Sequence, residues 1–247
     1  MNKLSAVIIT YNESCNVERC LESLRAVADE IVVVDAFSTD DTEAICRRNN
    51  ARFVQREWDS YSGQKNYGNS LAQFDYILSL DADEELSPAL AENIRAAKNN
   101  WRHDVYFFNR LNFFCGKSVK NCGWYPNKQY RLFDRRKTKW NSNLVHEVLE
   151  LTPQLSIGFL SGDLLHYTCA NKEEYADRQR KYADLRAREL SNQGKSYLPP
   201  AIWAMTAFRF FRTYILQLGF LEGATGLFIS DCNARTVYQK YSWAKKC

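Results

Sequence analysis

The chain has 247 residues, of which 45% are hydrophobic and 25% are charged, which excludes a disordered protein and suits one large α/β domain with a helical appendage. The formal net charge of +4 is too small to predict a nucleic-acid partner, although it is compatible with an anionic substrate or membrane surface. Eight cysteines without a CxxC pair predict reduced thiols and a cytoplasmic location.

The first hundred residues alternate between buried strands and helices. The predicted strands cover residues 6–10, 30–35, 52–55 and 76–80. The predicted helices cover residues 16–28, 40–49 (capped from Ser38-Thr39) and 62–73, and a fourth begins at Ser87-Pro88. Near-continuous apolar strands separated by helices indicate a parallel sheet covered on both faces, in which ligands bind beyond the carboxyl ends of the strands.

The pattern changes in the second half of the chain. Residues 104–168 read as short strands and irregular aromatic segments, and residues 171–192 as a charged helix that Asn171 caps. An aromatic, apolar helical region extends to about residue 229, and a polar tail ends the chain. The most apolar stretch, residues 202–221, is interrupted by Arg209 and Arg212, so we predict no membrane-spanning helix.

The sharpest local feature is the acidic run Asp81-Ala82-Asp83-Glu84, which follows the fourth predicted strand directly. Crowded carboxylates repel one another, and a divalent cation relieves that repulsion. Carboxylate oxygens suit Mg²⁺ or Mn²⁺, and such sites commonly share the metal with substrate phosphates. The run therefore predicts a metal-linked function, with an ordinary solvated turn as the alternative.

Polar residues also follow the first two predicted strands, Thr10-Tyr11-Asn12-Glu13 after one and the loop from Asp35 to Thr42 after the other. Turn chemistry alone explains Asn, Asp and Ser at such places. Two such turns at the ends of neighbouring parallel strands also form a polar crevice, so both interpretations stay open on this pattern alone. His166 ends an apolar run, where a lone histidine is more often structural.

Four motifs, in order and spacing, resemble those of family 2 glycosyltransferases. They are Ala-Val-Ile-Ile-Thr-Tyr-Asn-Glu (6–13), Val-Asp-Ala-Phe-Ser-Thr-Asp-Asp-Thr (34–42), Gly-Gln-Lys-Asn (63–66) and Leu-Asp-Ala-Asp-Glu (80–84). Further motifs resemble lipopolysaccharide core β-1,4-glucosyltransferases: Gly-Trp-Tyr-Pro (123–126), Arg-Leu-Phe (131–133), Val-His-Glu (145–147), Leu-His-Tyr (165–167) and Gly-Phe-Leu-Glu-Gly (219–223).

The resemblance implies a fold and a domain division. The fold would be GT-A, a Rossmann-like α/β fold with a mostly parallel sheet, helices on both faces and a C-terminal helical region. Residues 1–170 would form the catalytic domain, with a nucleotide-sugar half at about 1–100 and an acceptor half at about 101–170. Residues 171–247 would form the helical extension.

The resemblance also implies site residues. The nucleotide-sugar donor would meet residues at the ends of the first, second and fourth predicted strands and one residue of a helix. Mg²⁺ or Mn²⁺ would be held by Asp83 and His166, and Glu147 would be the general base. The donor-site residues implied are Thr10, Tyr11, Asn12, Glu13, Asp35, Lys65 and Asp81. Trp124, Tyr125 and Arg131 are candidate contacts to the acceptor or the donor sugar. For His166 this match outweighs the structural interpretation.

Taken together, we predict an inverting transferase that moves a hexose, with UDP-glucose as the expected donor, to a lipopolysaccharide core or related lipid-linked saccharide. A glycosyltransferase of another surface polysaccharide and a non-catalytic nucleotide-sugar-binding module are the alternatives. A haloacid-dehalogenase-type phosphatase is disfavoured because position 85 is Glu and the motif does not follow the first strand. The apolar region at 198–229 packs on the catalytic domain or lies at the cytoplasmic face of the inner membrane, and the sequence leaves both open.

Overall fold

The computed structural model describes residues 2–141 and 147–244. The strands are β1 Leu4–Thr10, β2 Glu30–Asp35, β3 Arg52–Gln55, β4 Tyr76–Asp81, β5 Glu84–Leu86, β6 Val105–Phe114, β7 Lys117–Val119, β8 Lys128–Asp134 and β9 Ile157–Cys169. The α-helices are α1 Val17–Leu24, α2 Thr42–Arg48, α3 Tyr61–Leu71, α4 Pro88–Lys98, α5 Lys172–Asn192, α6 Pro199–Phe211 and α7 Gly223–Trp243.

The sheet is mixed, with the strand order β3-β2-β1-β4-β8-β6-β9-β5, and β7 pairs with β6. The first four strands are parallel, as predicted. Their register aligns Thr10 with Asp35 and Ile9 with Asp81, so three strand ends meet at one edge. Antiparallel pairing begins where β8 joins β4. The predicted parallel arrangement therefore describes the first half of the sheet.

Helices cover both faces of the parallel strands. Ala6 and Ile8 of β1 contribute to a core that includes residues of α1, α2 and α4. Val7 and Ile9, which alternate with them, contribute to a second core against which α3 packs. A Cβ at Gly68 of α3 would lie 2.4 Å from Val7 Cγ1, so the close approach of this helix to β1 requires glycine.

The chain divides into two compact units. The first comprises residues 1–110 and 127–166, and the second comprises residues 111–126 and 167–247. The segment 111–126 thus belongs with the C-terminal helices, and the domain division near residue 170 stays a prediction. In the second unit, Phe114, Cys169, Tyr175 and Ile229 form a core, and α7 packs against both α5 and α6.

Several element boundaries differ from the predicted ones. The second helix begins at Thr42 and has no side-chain cap, because Ser38 instead donates hydrogen bonds to Asp35. The expected short strands at 104–168 include two long ones, β6 and β9. β6 pairs with the nearby β7 and β8, whereas β9 pairs with β5, which lies far away in the sequence. The apolar region contains a π-helical turn at Arg212–Leu216 and a 3₁₀ turn at Gly219–Glu222, and α7 continues through the predicted polar tail.

Candidate active site

A cleft of about 840 Å³ lies at the carboxyl edge of the parallel strands, in the first unit. Its lining residues come from the ends of β1, β2 and β4, from the start of α3 and the segment before it, and from β9. They are Ile9, Thr10, Tyr11, Glu13, Ala36, Trp58, Tyr61, Asp81, Ala82, Asp83 and His166. This is where a sheet of this topology places ligands, because strand ends leave backbone groups and loops at one edge. Four of the seven predicted donor-site residues line it: Thr10, Tyr11, Glu13 and Asp81.

The acidic run forms a tight turn between two strands. β4 ends at Asp81, and β5 begins three residues later and pairs with β9, which sets Glu84 opposite His166. This pairing brings His166 beside the turn, where its Nε2 lies 3.1 Å from Asp83 Oδ2. Two residues separated by more than eighty positions in the sequence therefore converge at the cleft. Their role as metal ligands stays a prediction.

Asp81 is held by two cations. Arg131 Nη2 lies 2.7 Å from Asp81 Oδ2, and Lys65 Nζ lies 3.0 Å from Asp81 Oδ1. Burial opposes ionisation of this carboxyl, but Arg131 and Lys65 outweigh it and hold the pKa of Asp81 well below its usual range. Asp81 is consequently a carboxylate at every physiological pH, and its charge is matched by protein cations.

Lys65 joins Asp81 to the predicted base. Its Nζ lies 3.0 Å from Glu147 Oε1, while the side chain is only 1% exposed. The ammonium also lies 4.8 Å from the ring centroid of Trp140, a cation–π contact that covers it. Lys65 does not line the cleft, so the structure places it in a supporting position. Val145 and His146, which precede Glu147 in the predicted motif, lie outside the described residues.

Glu84 extends the same network on the side of β5. Its Oε1 lies 3.2 Å from Arg131 Nη2 and 3.3 Å from Arg110 Nη1, and its Oε2 accepts a hydrogen bond from the Asp81 amide. Burial lowers the pKa of Arg131, but Asp81 and Glu84 outweigh it and raise that pKa above its usual range. Within the described residues, three carboxylates thus oppose three cations in this network.

The loops after β1 and β2 are fastened to each other. The Ser38 hydroxyl donates a hydrogen bond to Asp35 Oδ1 and accepts one of 2.8 Å from the Asn12 backbone N–H. Asn12 Oδ1 in turn accepts a hydrogen bond of 2.8 Å from the Thr39 backbone N–H. Asp35 is fully buried and accepts a further bond from the Ser38 backbone N–H. Asn12 and Asp35 therefore hold the two loops together, and neither is among the residues that line the cleft.

Two aromatic residues of the cleft were missed by sequence reasoning. Trp58 and Tyr61 are about half exposed, and their rings meet edge to face with centroids 4.7 Å apart. Both precede Gly63-Gln64-Lys65-Asn66, so their proximity to a motif was the available signal. Exposed aromatic faces at a cleft are suited to stacking against flat or ring-shaped ligands.

The remaining sugar-contact candidates lie in different surroundings. Arg131 is 3% exposed and engaged by Asp81 and Glu84, so the structure gives it a buried position. Trp124 and Tyr125 belong to the second unit, where the Trp124 ring lies 5.9 Å from that of Tyr175. Their contact with a sugar stays a prediction.

The residues present fit a divalent cation in one respect. Asp83 and His166 both line the cleft, and they bring a carboxylate oxygen and an imidazole nitrogen within 3.1 Å of each other there. Over residues 2–141 and 147–244, no three His, Cys, Asp or Glu side chains gather as a ligand set. Two protein ligands are nevertheless sufficient where substrate phosphates and water complete the coordination.

Comparison with known proteins decides the family. The model of glycosyl transferase family 2 matches residues 5–151, more than half of the chain. The chain belongs to this family. The family resemblance inferred from the motifs is therefore confirmed, as is the predicted fold class, an α/β GT-A fold with helices on both faces of the sheet and C-terminal helices.

Two relatives align with nearly the whole of this chain. An uncharacterised glycosyltransferase of Rickettsia conorii is 30% identical over 234 residues, which is 91% of this chain and 83% of the relative. The lipopolysaccharide core biosynthesis glycosyltransferase LpsC of Rhizobium meliloti is 29% identical over 259 residues, which is 97% of this chain and 93% of the relative.

Solved structures are more remote. Glucosyl-3-phosphoglycerate synthase from Mycobacterium tuberculosis, in complex with Mn²⁺, uridine diphosphate and glucosyl-3-phosphoglycerate, gives a TM-score of 0.49 at 16% identity, covering 76% of this chain and 80% of that one. TarS 1–349 of S. aureus in complex with UDP-GlcNAc gives 0.47 at 15%, covering 99% and 91%. Likenesses this remote say nothing about the ligands of this chain.

Proposed function

We propose that this family 2 transferase moves a hexose from a nucleoside diphosphate, with UDP-glucose as the first donor to test, onto a lipopolysaccharide core or related lipid-linked saccharide, with inversion at the anomeric carbon. The observation that carries the proposal is the convergence of Asp83 and His166 on a cleft whose floor is formed by strand ends. The similarity to LpsC of Rhizobium meliloti, a lipopolysaccharide core glycosyltransferase, supports the acceptor class.

A divalent cation fits this site as the partner of the donor diphosphate. Asp83 and His166 would hold it, and Mn²⁺ suits their mixed carboxylate and imidazole set well. When bound, such an ion stabilises the negative charge that develops on the diphosphate as the glycosidic bond breaks. Asp81, whose charge Arg131 and Lys65 already compensate, is left to orient the donor.

The donor is proposed to lie along the wall formed by β1 and the segment before α3. Thr10 Oγ1 is buried and finds no hydrogen-bond partner among the described residues, so it is available to a ligand. The half-exposed rings of Tyr11, Trp58 and Tyr61 offer apolar faces on the same cleft. The base or sugar ring of the donor would be positioned by packing on these rings, in addition to the contacts of its diphosphate.

Glu147 is proposed to accept the proton of the attacking acceptor hydroxyl. A single displacement with one positioned base inverts the anomeric configuration and needs no covalent enzyme intermediate. The ion pair with the buried Lys65 fixes Glu147 Oε1 and leaves the other carboxylate oxygen for the acceptor. Because Lys65 also holds Asp81, one ammonium sets the spacing between the donor side and the acceptor side of the site.

A donor screen tests the proposal. Purified protein is incubated with UDP-, GDP- and dTDP-linked hexoses, with Mn²⁺, Mg²⁺ or chelator, and released nucleoside diphosphate is measured. We expect slow hydrolysis of one donor class, with activity lost in chelator. Hydrolysis of none of the donors, together with nucleotide binding that survives, would favour the non-catalytic binding module.

A transfer assay distinguishes lipopolysaccharide core from other surface saccharides as the acceptor. Once the donor is known, transfer to isolated lipopolysaccharide core is compared with transfer to other lipid-linked surface saccharides. Labelled core product supports the proposal, whereas transfer only to the other saccharides would assign the enzyme to another surface polysaccharide.

A further inference from the structure

The second unit exposes an unusual amount of apolar side chain. Trp203 is 61% exposed, Leu216 60% and Leu221 62%. We define the apolar face as the exposed large side chains between α6 and the 3₁₀ turn: Trp203, Phe208, Phe211, Ile215, Leu216, Leu218, Phe220 and Leu221. Scattered exposed leucines are ordinary, but a contiguous set of this kind on a folded protein marks an interaction surface.

Helical spacing shows that these side chains share a side. In α6 and the π-helical turn that continues it, Ile202 and Thr213 are buried, and Met205, Thr206 and Arg209 between them are partly buried. Their spacing defines the inward side of the helix, and within this unit α6 packs against α7. Phe208, Phe211 and Ile215 follow one another at intervals of three and four residues, so they share the other side, and all three are exposed. Leu216, the last residue of the π-helical turn, is exposed as well. The helix therefore departs from the usual pattern, because several large apolar side chains are turned outward.

The charged residues in the stretch of chain that carries the apolar face have one sign. From residue 193 to residue 221 the chain contains Lys195, Arg209 and Arg212 and no Asp or Glu. Glu222 follows, but its Oε1 already accepts hydrogen bonds from the Lys120 backbone N–H and from both nitrogens of Asn121. Arg212 is exposed and lies within the face, next to Phe211. An occupant of this surface should therefore be apolar in its interior and negatively charged at its boundary.

We propose that the apolar face docks onto the surface of an anionic lipid bilayer. Aromatic and aliphatic side chains would enter the boundary between headgroups and acyl chains, and Arg212 would meet lipid phosphate. Across residues 2–141 and 147–244, no helix has the length and hydropathy that crossing a bilayer requires.

A lipid surface fits better than a second copy of the chain. A two-fold contact apposes the same patch on both copies, and here that would bring basic residues together without an acidic partner. Anionic headgroups supply the missing negative charge. The inference deepens the proposed function and rests on it only for its biological meaning, since a lipid-linked acceptor has to be reached at a membrane.

Vesicle sedimentation tests the docking. Full-length protein is centrifuged with vesicles of phosphatidylethanolamine and phosphatidylglycerol, or of phosphatidylcholine alone, at low and high salt. We expect binding to the anionic vesicles that weakens as salt screens the headgroups. A blue shift of Trp fluorescence on binding should be reduced in Trp203→Phe, which reports that this side chain enters the lipid.

Two variants and two matched controls locate the surface. The double variant Phe208→Ser with Phe211→Ser should bind at least about tenfold more weakly, and Arg212→Glu roughly fivefold to twentyfold more weakly at low salt. The controls are Leu185→Ser and Arg188→Glu on α5, whose side chains are comparably exposed at 65% and 66%. The controls should bind as the unchanged protein does. Circular dichroism melting checks that all four variants are folded.

The possible results of these experiments distinguish lipid docking from self-association and from a failure of the proposed function. Absence of binding at low salt, or equal binding by the face variants and the controls, overturns the proposal. A dimer in sedimentation velocity that the double variant abolishes, without vesicle binding, would assign the face to self-association. Donor hydrolysis is measured in parallel and should be the same in every variant, so a failure of the proposed transferase chemistry would appear there and not in the vesicle assay.

Discussion

The two units depart from the usual distribution of side chains in opposite directions. The first unit buries charged groups, with Lys65, Glu84 and Arg131 almost inaccessible, whereas the second exposes large apolar ones such as Trp203 and Leu221. Charged residues are rarely buried unless they are paired, and apolar patches of this kind are rarely left in water. Each departure costs stability, so each points to a place where something other than stability has shaped the molecule.

The costs in the two units are of different kinds. Burying an ion pair removes its members from water, and the attraction between them repays this only when the geometry is good. The first unit satisfies that condition through the 2.7–3.3 Å contacts that link Asp81, Glu84, Arg110 and Arg131. The apolar side chains of the second unit have no such compensation within the described part of the chain. The burial of charges is therefore compensated within the protein, and the exposure of apolar side chains is what the proposed docking on lipid would relieve.

The largest effect is expected at Asp83, a carboxylate of the first unit that lies outside the buried ion-pair network and is proposed to act only in catalysis. Asp83→Ala should reduce transfer by roughly 10⁴-fold or more, because several kcal/mol of charge stabilisation and the anchor of the donor diphosphate are lost together. The melting temperature should hardly change, because Asp83 lies on a strand-end turn and contacts His166 rather than the buried network. Calorimetric titration of Mn²⁺ in the presence of UDP reports the loss directly.

A matched control for Asp83 is chelation of the unchanged protein. EDTA should give the same loss of transfer, and added Mn²⁺ or Mg²⁺ should restore the unchanged protein but not Asp83→Ala. Full activity in chelator would show that the turn binds no catalytic metal.

The next largest effect is expected at Glu147. Glu147→Gln keeps the shape of the side chain and removes its basicity, so turnover should fall by roughly 10²–10⁴-fold while donor binding survives. Glu150→Gln is the control on the same segment. Asp134 is not an alternative base, because it pairs with Tyr76 at the opposite end of β4 and is bound by Arg136. Normal turnover by Glu147→Gln, with a loss in Glu150→Gln, would move the base to Glu150.

Lys65 should show both a catalytic and a structural effect. Lys65→Met leaves Asp81 and Glu147 without their shared cation, and we expect a loss of about 3 kcal/mol in the free energy of unfolding, measured with urea. Turnover should fall more than affinity for the donor, because the substitution releases the base without removing a donor contact.

Lys98 supplies the control for Lys65. It is also a buried lysine of the first unit, with Nζ 2.8 Å from the Val27 carbonyl oxygen and 2.5 Å from Asp29, but it lies outside the network. Lys98→Met should lower stability and leave turnover unchanged in the folded protein. If both lysine variants lose turnover in equal proportion to stability, Lys65 has only a structural role.

How far the sequence predicted the structure differs between the units for a physical reason. β2 and β3 were predicted with their observed bounds, and α5 begins after Asn171, whose side chain accepts a hydrogen bond from the Glu174 backbone N–H. Those signals are local, since apolar runs and caps act over a few residues. The assignment of residues 111–126 to the second unit depends on contacts with helices a hundred residues later, which no local pattern encodes.

The candidate site shows the same limit. Asp81, Asp83 and the residues after β1 were found because each follows a recognisable strand. The strand β5 was missed because Glu84-Glu85-Leu86 resembles a solvated turn, and its pairing with β9 is what brings His166 to the cleft. Lys65 was expected to touch the nucleotide, and its burial between two carboxylates and Trp140 follows only from the tertiary arrangement. Whether any of these residues contacts a ligand stays a prediction.

The smallest effect is expected at Asp40, a charge that the first unit leaves exposed. Some desolvation opposes ionisation, but hydrogen bonds from Thr42 and Ser14 outweigh it and lower the pKa of Asp40 from 3.8 to about 2. A carboxyl with a lowered pKa stabilises the fold above its ordinary pKa, and that contribution is lost as the pH falls through the folded value. Asp40→Asn should therefore be less stable than the unchanged protein at pH 7 by under about 1 kcal/mol, a small difference because solvent screens an exposed group. The difference should shrink as the pH is lowered between about pH 4 and pH 2, while Asp41→Asn, which removes a neighbouring carboxylate outside these hydrogen bonds, should show no such trend. A gap between Asp40→Asn and the unchanged protein that stays constant or widens in acid would mean that the loop after β2 is held by its neutral hydrogen bonds, and that the charges important to this unit are the buried ones.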